Sequence, residues 1–291
     1  MSWLTGFGQR DVAGRLWLVS IPQWFDVPEF KVAFDQFLHP GQRGVLVYIP
    51  TAMQTPAHCD RDTQYREQAE IRRQRLGFTE CVILDFETAS IEDAKMLLAD
   101  ADVDCLYVEG GNTFALRHFA RPFDSIIQKA LKTKGMPLIG VSAGAIMCGA
   151  TIETALWKGH LGDEPNPPGV PRREWGALSE ARRWGAAWDV VGGNTFFMHF
   201  GDMWRDVVRI SQSSAMWPHP TVTIDNETVM VFNVGSSIPS AVIRCPSWAM
   251  KTAPAGAMPQ RYAVSAIMTA PPAVMPQRYA VSNVFVRPIR V

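Results

Sequence analysis

One serine, one histidine and two glycine-rich turns are the residues whose types and spacing could do covalent chemistry in this chain. Ser142 lies in "PLIGVSAGAIMCG" (137–149), between an apolar run, Pro137 to Val141, and a small-residue run, Ala143 to Ala150. Gly140, Ser142 and Gly144 fit G-x-S-x-G, in which a serine sits on a strained strand-to-helix corner with its hydroxyl exposed. The flanking glycines suit that corner because a Cβ there would collide with a neighbouring strand or helix. A helix starting at Ala143 would aim backbone N–H groups at the same point, where an oxyanion would be stabilised. The competing reading is a serine that only caps a tightly packed helix. A second stretch, "EGGNTFALRHF" (109–119), puts a glycine pair after a strand, so Gly110 and Gly111 join Ala143 as candidate oxyanion donors. Its alternative is an ordinary glycine turn capped by Asn112 or Thr113. "GGNTF" recurs at 192–196 in a different context and is read as coincidence.

A serine nucleophile needs a base. The chain has six histidines: His39, His58, His118, His160, His199 and His219. None follows His219, which argues against a full-length α/β-hydrolase, whose histidine comes late in the chain. His199 stands in "FFMHFGD", where a strand-like run ends, and is the preferred base. His160, in a Pro- and Gly-rich stretch, is the rival, and a packed core histidine is the alternative reading of His199.

The elements that must position these groups alternate. Apolar strands are expected at 43–50, 81–86, 104–111 and 136–141, and helices at 62–77, 90–101 and 123–135, with Gly77 closing the first and Ser90 capping the second. Continuous apolar strands each followed by a helix mean an α/β fold, a mostly parallel sheet with helices on both faces. Ligands bind such sheets beyond the carboxyl ends of the strands, where both motifs fall. Residues 158–184 read as an excursion loop, 203–211 as a helix, and 219–237 as a hairpin turning at Asp225-Asn226. The domain reading is a catalytic domain over 1–240 and a Pro/Ala-rich extension over 241–291. In that extension "TAPAGAMPQRYAVS" returns as "TAPPAVMPQRYAVS" with 11 of 14 positions identical. Two copies fall short of the about three units a solenoid needs.

Composition narrows the function. Apolar residues make up 47% of the 291, enough for a large core, and the net charge is zero, so no polyanionic partner is indicated. Five cysteines without paired spacing speak against a disulfide framework or a zinc site. No basic start followed by an apolar run opens the chain, and no stretch approaches the about 18 apolar residues of a membrane span. A cytoplasmic protein, with no membrane or nucleic-acid partner and a small peptide as substrate, is the expectation.

The motifs together resemble a family. "VEGGNTFALRHF", "PLIGVSAGAIMCGATIET" and "FFMHFGD" are similar to the serine peptidases that include dipeptidase E and cyanophycinase, over roughly residues 40 to 237. That resemblance implies a three-layer sandwich like the class I glutamine amidotransferases, with serine in place of cysteine. It implies a Ser–His–acid triad, no metal or other cofactor, and cleavage of peptide bonds next to aspartate. Carried onto this chain, Ser142 is the nucleophile and His199 the general base, Gly111 and Ala143 supply the oxyanion hole, and Gly110 shapes the loop. The chain departs from the family pattern at the acid, where Trp157 stands at the matching position. Asp163 is the preferred replacement, Glu153 its close rival, and Glu164 a third choice. Arg117, Arg205 and Arg209 are candidates to meet an aspartyl carboxylate. The competing function is a non-catalytic relative that binds a small ligand in the same cleft.

Overall fold

The computed structural model describes residues 14–53, 60–161, 185–214 and 217–244. Its centre is a seven-stranded sheet. In chain order the strands are β1 (Arg15–Val19), β2 (Val45–Ile49), β3 (Glu80–Ile83), β4 (Val103–Val108), β5 (Leu138–Val141), β8 (Thr228–Asn233) and β9 (Pro239–Arg244). Across the sheet they run β3-β2-β4-β5-β1-β8-β9. The first five in that order are mutually parallel, and β8 and β9 close the far edge antiparallel. Two further strands, β6 (Thr195–Phe200) and β7 (Thr221–Asp225), pair parallel in a small sheet of their own.

Period-2 alternation explains why both faces are covered. Along β1, Leu16 and Leu18 enter one core while Trp17 and Val19 enter the other; along β4, Leu106 and Val108 oppose Cys105 and Tyr107. Helices α1 (Pro28–Phe37) and α2 (Arg61–Leu76) cover the second face with Phe30, Phe34, Ala69 and Leu76. Helices α3 (Ile91–Ala99), α4 (Thr113–Ala120), α5 (Asp124–Lys132) and α6 (Ala143–Met147) cover the first with Leu98, Leu116, Ile127 and Ile146 among others. Sheet strands that are apolar on both sides, held between two helical layers, make the three-layer α/β sandwich expected from the sequence.

Local signals act as the sequence suggests. Gly77 ends α2 at φ 73°, in the left-handed region a side chain resists. Ser90 Oγ accepts the N–H of Asp93 at 3.0 Å, capping α3. The expected helix over 203–211 is a short 3-10 turn at Asp202–Trp204 followed by α7 (Arg205–Ser213). No helix among the described residues is long and apolar enough to cross a membrane.

One element differs in kind. The segment read as a hairpin at 219–237 is two strands in two sheets: β7 pairs with β6, whereas β8 has β1 on one side and β9 on the other. Both edges of β8 are occupied, so β7 cannot fold back onto it. The turn at Asp225–Glu227 is therefore a crossing between sheets, closed by the Glu227 N–H donating to Asp225 Oδ1 at 2.9 Å. That crossing carries Asn226 to the site described next.

Under the same end of the sheet lies a buried ion pair. Arg72 on α2 donates to Glu109 Oε2 at 3.1 Å, and the Tyr48 hydroxyl donates to the same oxygen at 3.1 Å. Burial, with the Glu109 charge second, pushes the Tyr48 phenol upward, so it stays protonated and donates. Arg72 and Glu109 are about 6% and 5% exposed, so neither charge has water as an alternative partner. Glu109→Gln leaves a buried guanidinium without its counter-charge and is expected to destabilise the fold by about 3 kcal/mol. Denaturant unfolding of the two proteins measures it; an unchanged midpoint contradicts this account of the pair.

Candidate active site

Ser142 closes β5 and opens α6 with φ 47° and ψ −104°, a backbone conformation that residues with a Cβ seldom adopt. Its surroundings hold it there. The Ser142 N–H donates to the Val19 carbonyl at 2.8 Å, and the Ser142 carbonyl accepts the Ile146 N–H at 3.0 Å. A Cβ on Gly140 would sit 2.9 Å from the Gly144 carbonyl, and one on Gly144 would sit 2.3 Å from the Val108 carbonyl. The corner is tight because a helix and two strands meet at it without side chains between them.

The Ser142 hydroxyl makes no capping bond to the helix it precedes. Its Oγ lies 2.8 Å from Nε2 of His199 instead. A serine serving only as an N-cap would turn its oxygen onto the N–H groups of the first helical turn. Here the hydroxyl faces a ring nitrogen brought from β6.

His199 reaches that point through a β-bulge. The register between β6 and β7 slips between Met198 and Phe200, and His199 takes φ 55°. The extra residue re-aims the side chain, as bulges commonly do. Ser20, at the end of β1, secures it: its Oγ accepts the His199 N–H at 3.0 Å and donates to the Ile224 carbonyl at 2.8 Å. Ser20 is buried, and the bond it accepts from His199 is partly so. Replacement of Ser20 by alanine removes the acceptor of the His199 N–H and is expected to cost about 1 kcal/mol and to lower turnover. Wild-type stability and turnover together in that variant would show the bulge to be held by other contacts.

The other ring nitrogen, Nδ1, lies 3.0 Å from Oδ1 of Asn226. Sequence reasoning missed this residue, because it sought an acid at a set distance after Ser142. Asp163 and Glu164 fall outside the described residues. Glu153 opens a 3-10 helix over Glu153–Leu161, and a Cβ built on Gly185 would sit 2.8 Å from its Oε1, so its carboxylate lies against that glycine. Trp157, where the resemblance would put the acid, packs in an aromatic group, 6.0 Å from Phe197 and 4.8 Å from Trp217 between ring centroids.

The glycine pair adjoins the serine. A Cβ on Gly110 would lie 3.2 Å from Ser142 Cβ, and Gly111, at φ 141°, passes so close to Ala52 that a Cβ would lie 2.0 Å from its carbonyl oxygen. The Gly110 N–H, a candidate donor, is already committed to Glu109 Oε1 at 3.1 Å. That bond takes the Gly110 N–H out of the set of candidate donors. Asn112 caps α4, its Oδ1 accepting the N–H groups of Phe114 and Ala115 at 2.9 and 3.0 Å. The Asn112 cap expected as the alternative reading of this loop is therefore present, directly after the glycine pair. The second "GGNTF" is a turn into β6, with Gly192 and Gly193 at positive φ and the Asn194 amide donating to the Ser237 carbonyl at 2.6 Å.

Among the cations considered for a substrate carboxylate, Arg117 is buried and holds both oxygens of Asp124 at 2.7 and 2.8 Å. It is a structural ion pair and is not open to a ligand. Arg205 and Arg209 are exposed and, among the described residues, pair with Asp202 and Asp206 one helical turn away. Cys148, just after α6, is buried with its thiol pushed up by desolvation, the setting of an inert structural cysteine.

A serine on a strained strand-to-helix corner, with a histidine on its hydroxyl and a glycine loop beside it, at the carboxyl end of a parallel sheet, defines the class of α/β serine hydrolases. Within that class the chain belongs to peptidase family S51, whose model matches residues 20–170. Two solved structures share the fold. A candidate peptidase E protein from Listeria monocytogenes EGD-e superposes with a TM-score of 0.56 at 21% identity, covering 80% of this chain and 100% of that one. A peptidase from an acI-B1 Actinobacterium superposes with a TM-score of 0.50 at 18% identity, covering 80% of this chain and 90% of that one. No curated protein matches the chain at a significant level. Membership of this peptidase family bears out the resemblance read from the sequence motifs.

Proposed function

We propose that this protein is a serine peptidase that cleaves short peptides next to aspartate through an acyl-enzyme on Ser142. The observation that carries the reading is the 2.8 Å contact between Ser142 Oγ and His199 Nε2, made by a serine in a strained conformation that forgoes capping its own helix. His199 takes the hydroxyl proton as Oγ attacks the scissile carbonyl carbon. The carbonyl oxygen becomes an oxyanion on the N–H groups of Gly111 and Ala143. The imidazolium then gives its proton to the departing amine, leaving an ester on Ser142. Water, deprotonated by the same ring, attacks that ester and releases the acid.

The preference for aspartate is what the family resemblance implies. With Arg117 buried on Asp124, the cations left for the role among those considered are Arg205 and Arg209. Their partners are exposed and their pairing weak, so a substrate carboxylate can replace them. The test compares hydrolysis of an aspartyl dipeptide, a leucyl dipeptide and a p-nitrophenyl ester. Faster turnover of the aspartyl peptide, lost in Ser142→Ala, is the expected result. Ester cleavage alone would make it an esterase, and inertness toward all three would favour a non-catalytic ligand-binding relative.

A further inference from the structure

We infer that Asn226 is the positioning residue for His199, an amide standing where a carboxylate would complete a Ser–His–acid triad. This rests on the reading of Ser142 and His199 given above. The amide oxygen Oδ1, 3.0 Å from Nδ1, can only accept, so the ring carries its proton on Nδ1. The lone pair of Nε2 then faces the Ser142 hydroxyl, which is the tautomer a general base needs. A neutral amide selects that tautomer by its dipole. It adds no negative charge beside the imidazolium, so its role is orientation and choice of tautomer.

Asn226 is held as a positioning group should be. Its backbone carbonyl accepts the indole N–H of Trp24 at 3.1 Å, and Trp24 is fully buried in the second core with Trp17 and Val19 of β1. The Ile224 carbonyl, two residues earlier, accepts the Ser20 hydroxyl whose oxygen in turn accepts the His199 N–H. Val19, next to Ser20, accepts the Ser142 N–H. Residues 19 to 24 therefore fix the nucleophile, the base and Asn226 against one short segment. The crossing from β7 to β8 brings Asn226 there, since those strands belong to different sheets.

The experiment measures the rate of inactivation by a fluorophosphonate probe, on the full-length protein, in wild type, Asn226→Ala and Asn226→Asp. Asn226 is exposed, so all three are expected to melt together. Loss of the hydrogen bond to the ring should slow labelling of Asn226→Ala about 10- to 100-fold. Asn226→Asp keeps an acceptor at the same place and should label at least as fast as wild type. Asn226→Ala labelling at the wild-type rate, or Asn226→Asp as slow as alanine, overturns the inference and leaves the serine-hydrolase reading standing. A wild-type protein that takes no probe overturns both.

Discussion

Replacing Ser142 by alanine is expected to abolish peptide turnover, by about a factor of 10⁶, while leaving the fold intact. The factor is large because every step of the proposed cycle passes through the Oγ that faces His199 at 2.8 Å. Stability should change little, since the hydroxyl caps nothing and alanine keeps the same Cβ at φ 47° and ψ −104°. Ser142→Gly is the informative companion. Glycine reaches positive φ without a steric penalty, so this variant should be about 1 kcal/mol more stable than Ser142→Ala and equally inactive. Stability gained as activity is lost is the mark of strain kept for function. Turnover assays with denaturant unfolding check both statements; a Ser142→Ala enzyme that still hydrolyses peptides contradicts the first.

The second large effect is expected at Gly111. An alanine there would place its Cβ 2.0 Å from the Ala52 carbonyl oxygen, backbone that cannot swing aside as a side chain would. The position also has φ 141°, a region open in practice only to glycine. The Asn112 N–H donates to that same Ala52 carbonyl at 2.7 Å, so relief of the clash breaks this bond as well. Gly111→Ala should therefore cost about 3 kcal/mol or more. It should also lower turnover about 10²- to 10³-fold, because the N–H proposed to hold the oxyanion is moved. Gly193→Ala is the control. It also has positive φ, at 84°, but has no atom within 4 Å of a new Cβ. It should show a smaller stability loss and unchanged turnover. Equal effects of the two substitutions would contradict the role given to the loop.

Much of this was legible from the sequence because local chemistry dictates it. Gly77 and Ser90 end and begin helices by their own backbone and hydroxyl properties. The Gly140–Ser142–Gly144 spacing describes a corner with room for no side chain, and the close approaches of Val108 and Ala145 to those glycines are what it describes. His199 was within reach because an ionisable residue ending an apolar run stands out.

What stayed hidden depends on contacts far apart in the chain. "RLWLV" at 15–19 drew no notice as a strand, yet β1 is the sheet's hinge between its parallel and antiparallel parts, and its end anchors both Ser142 and His199. Asn226 looked like one half of an ordinary hairpin turn. Its place beside His199 follows only once β8 is taken by β1 and β9, which no local pattern states. Arg117 is the converse case. Its charge suggested a ligand, and the partner seven residues away on α5 shows that charge already neutralised.

The most direct test of the central claim is to treat the native protein with a fluorophosphonate and locate the adduct by peptide mass spectrometry. The account predicts one adduct, on the peptide that carries Ser142, and none in His199→Ala under the same conditions. An adduct on another residue, or undiminished labelling of Ser142 without the imidazole, would contradict it.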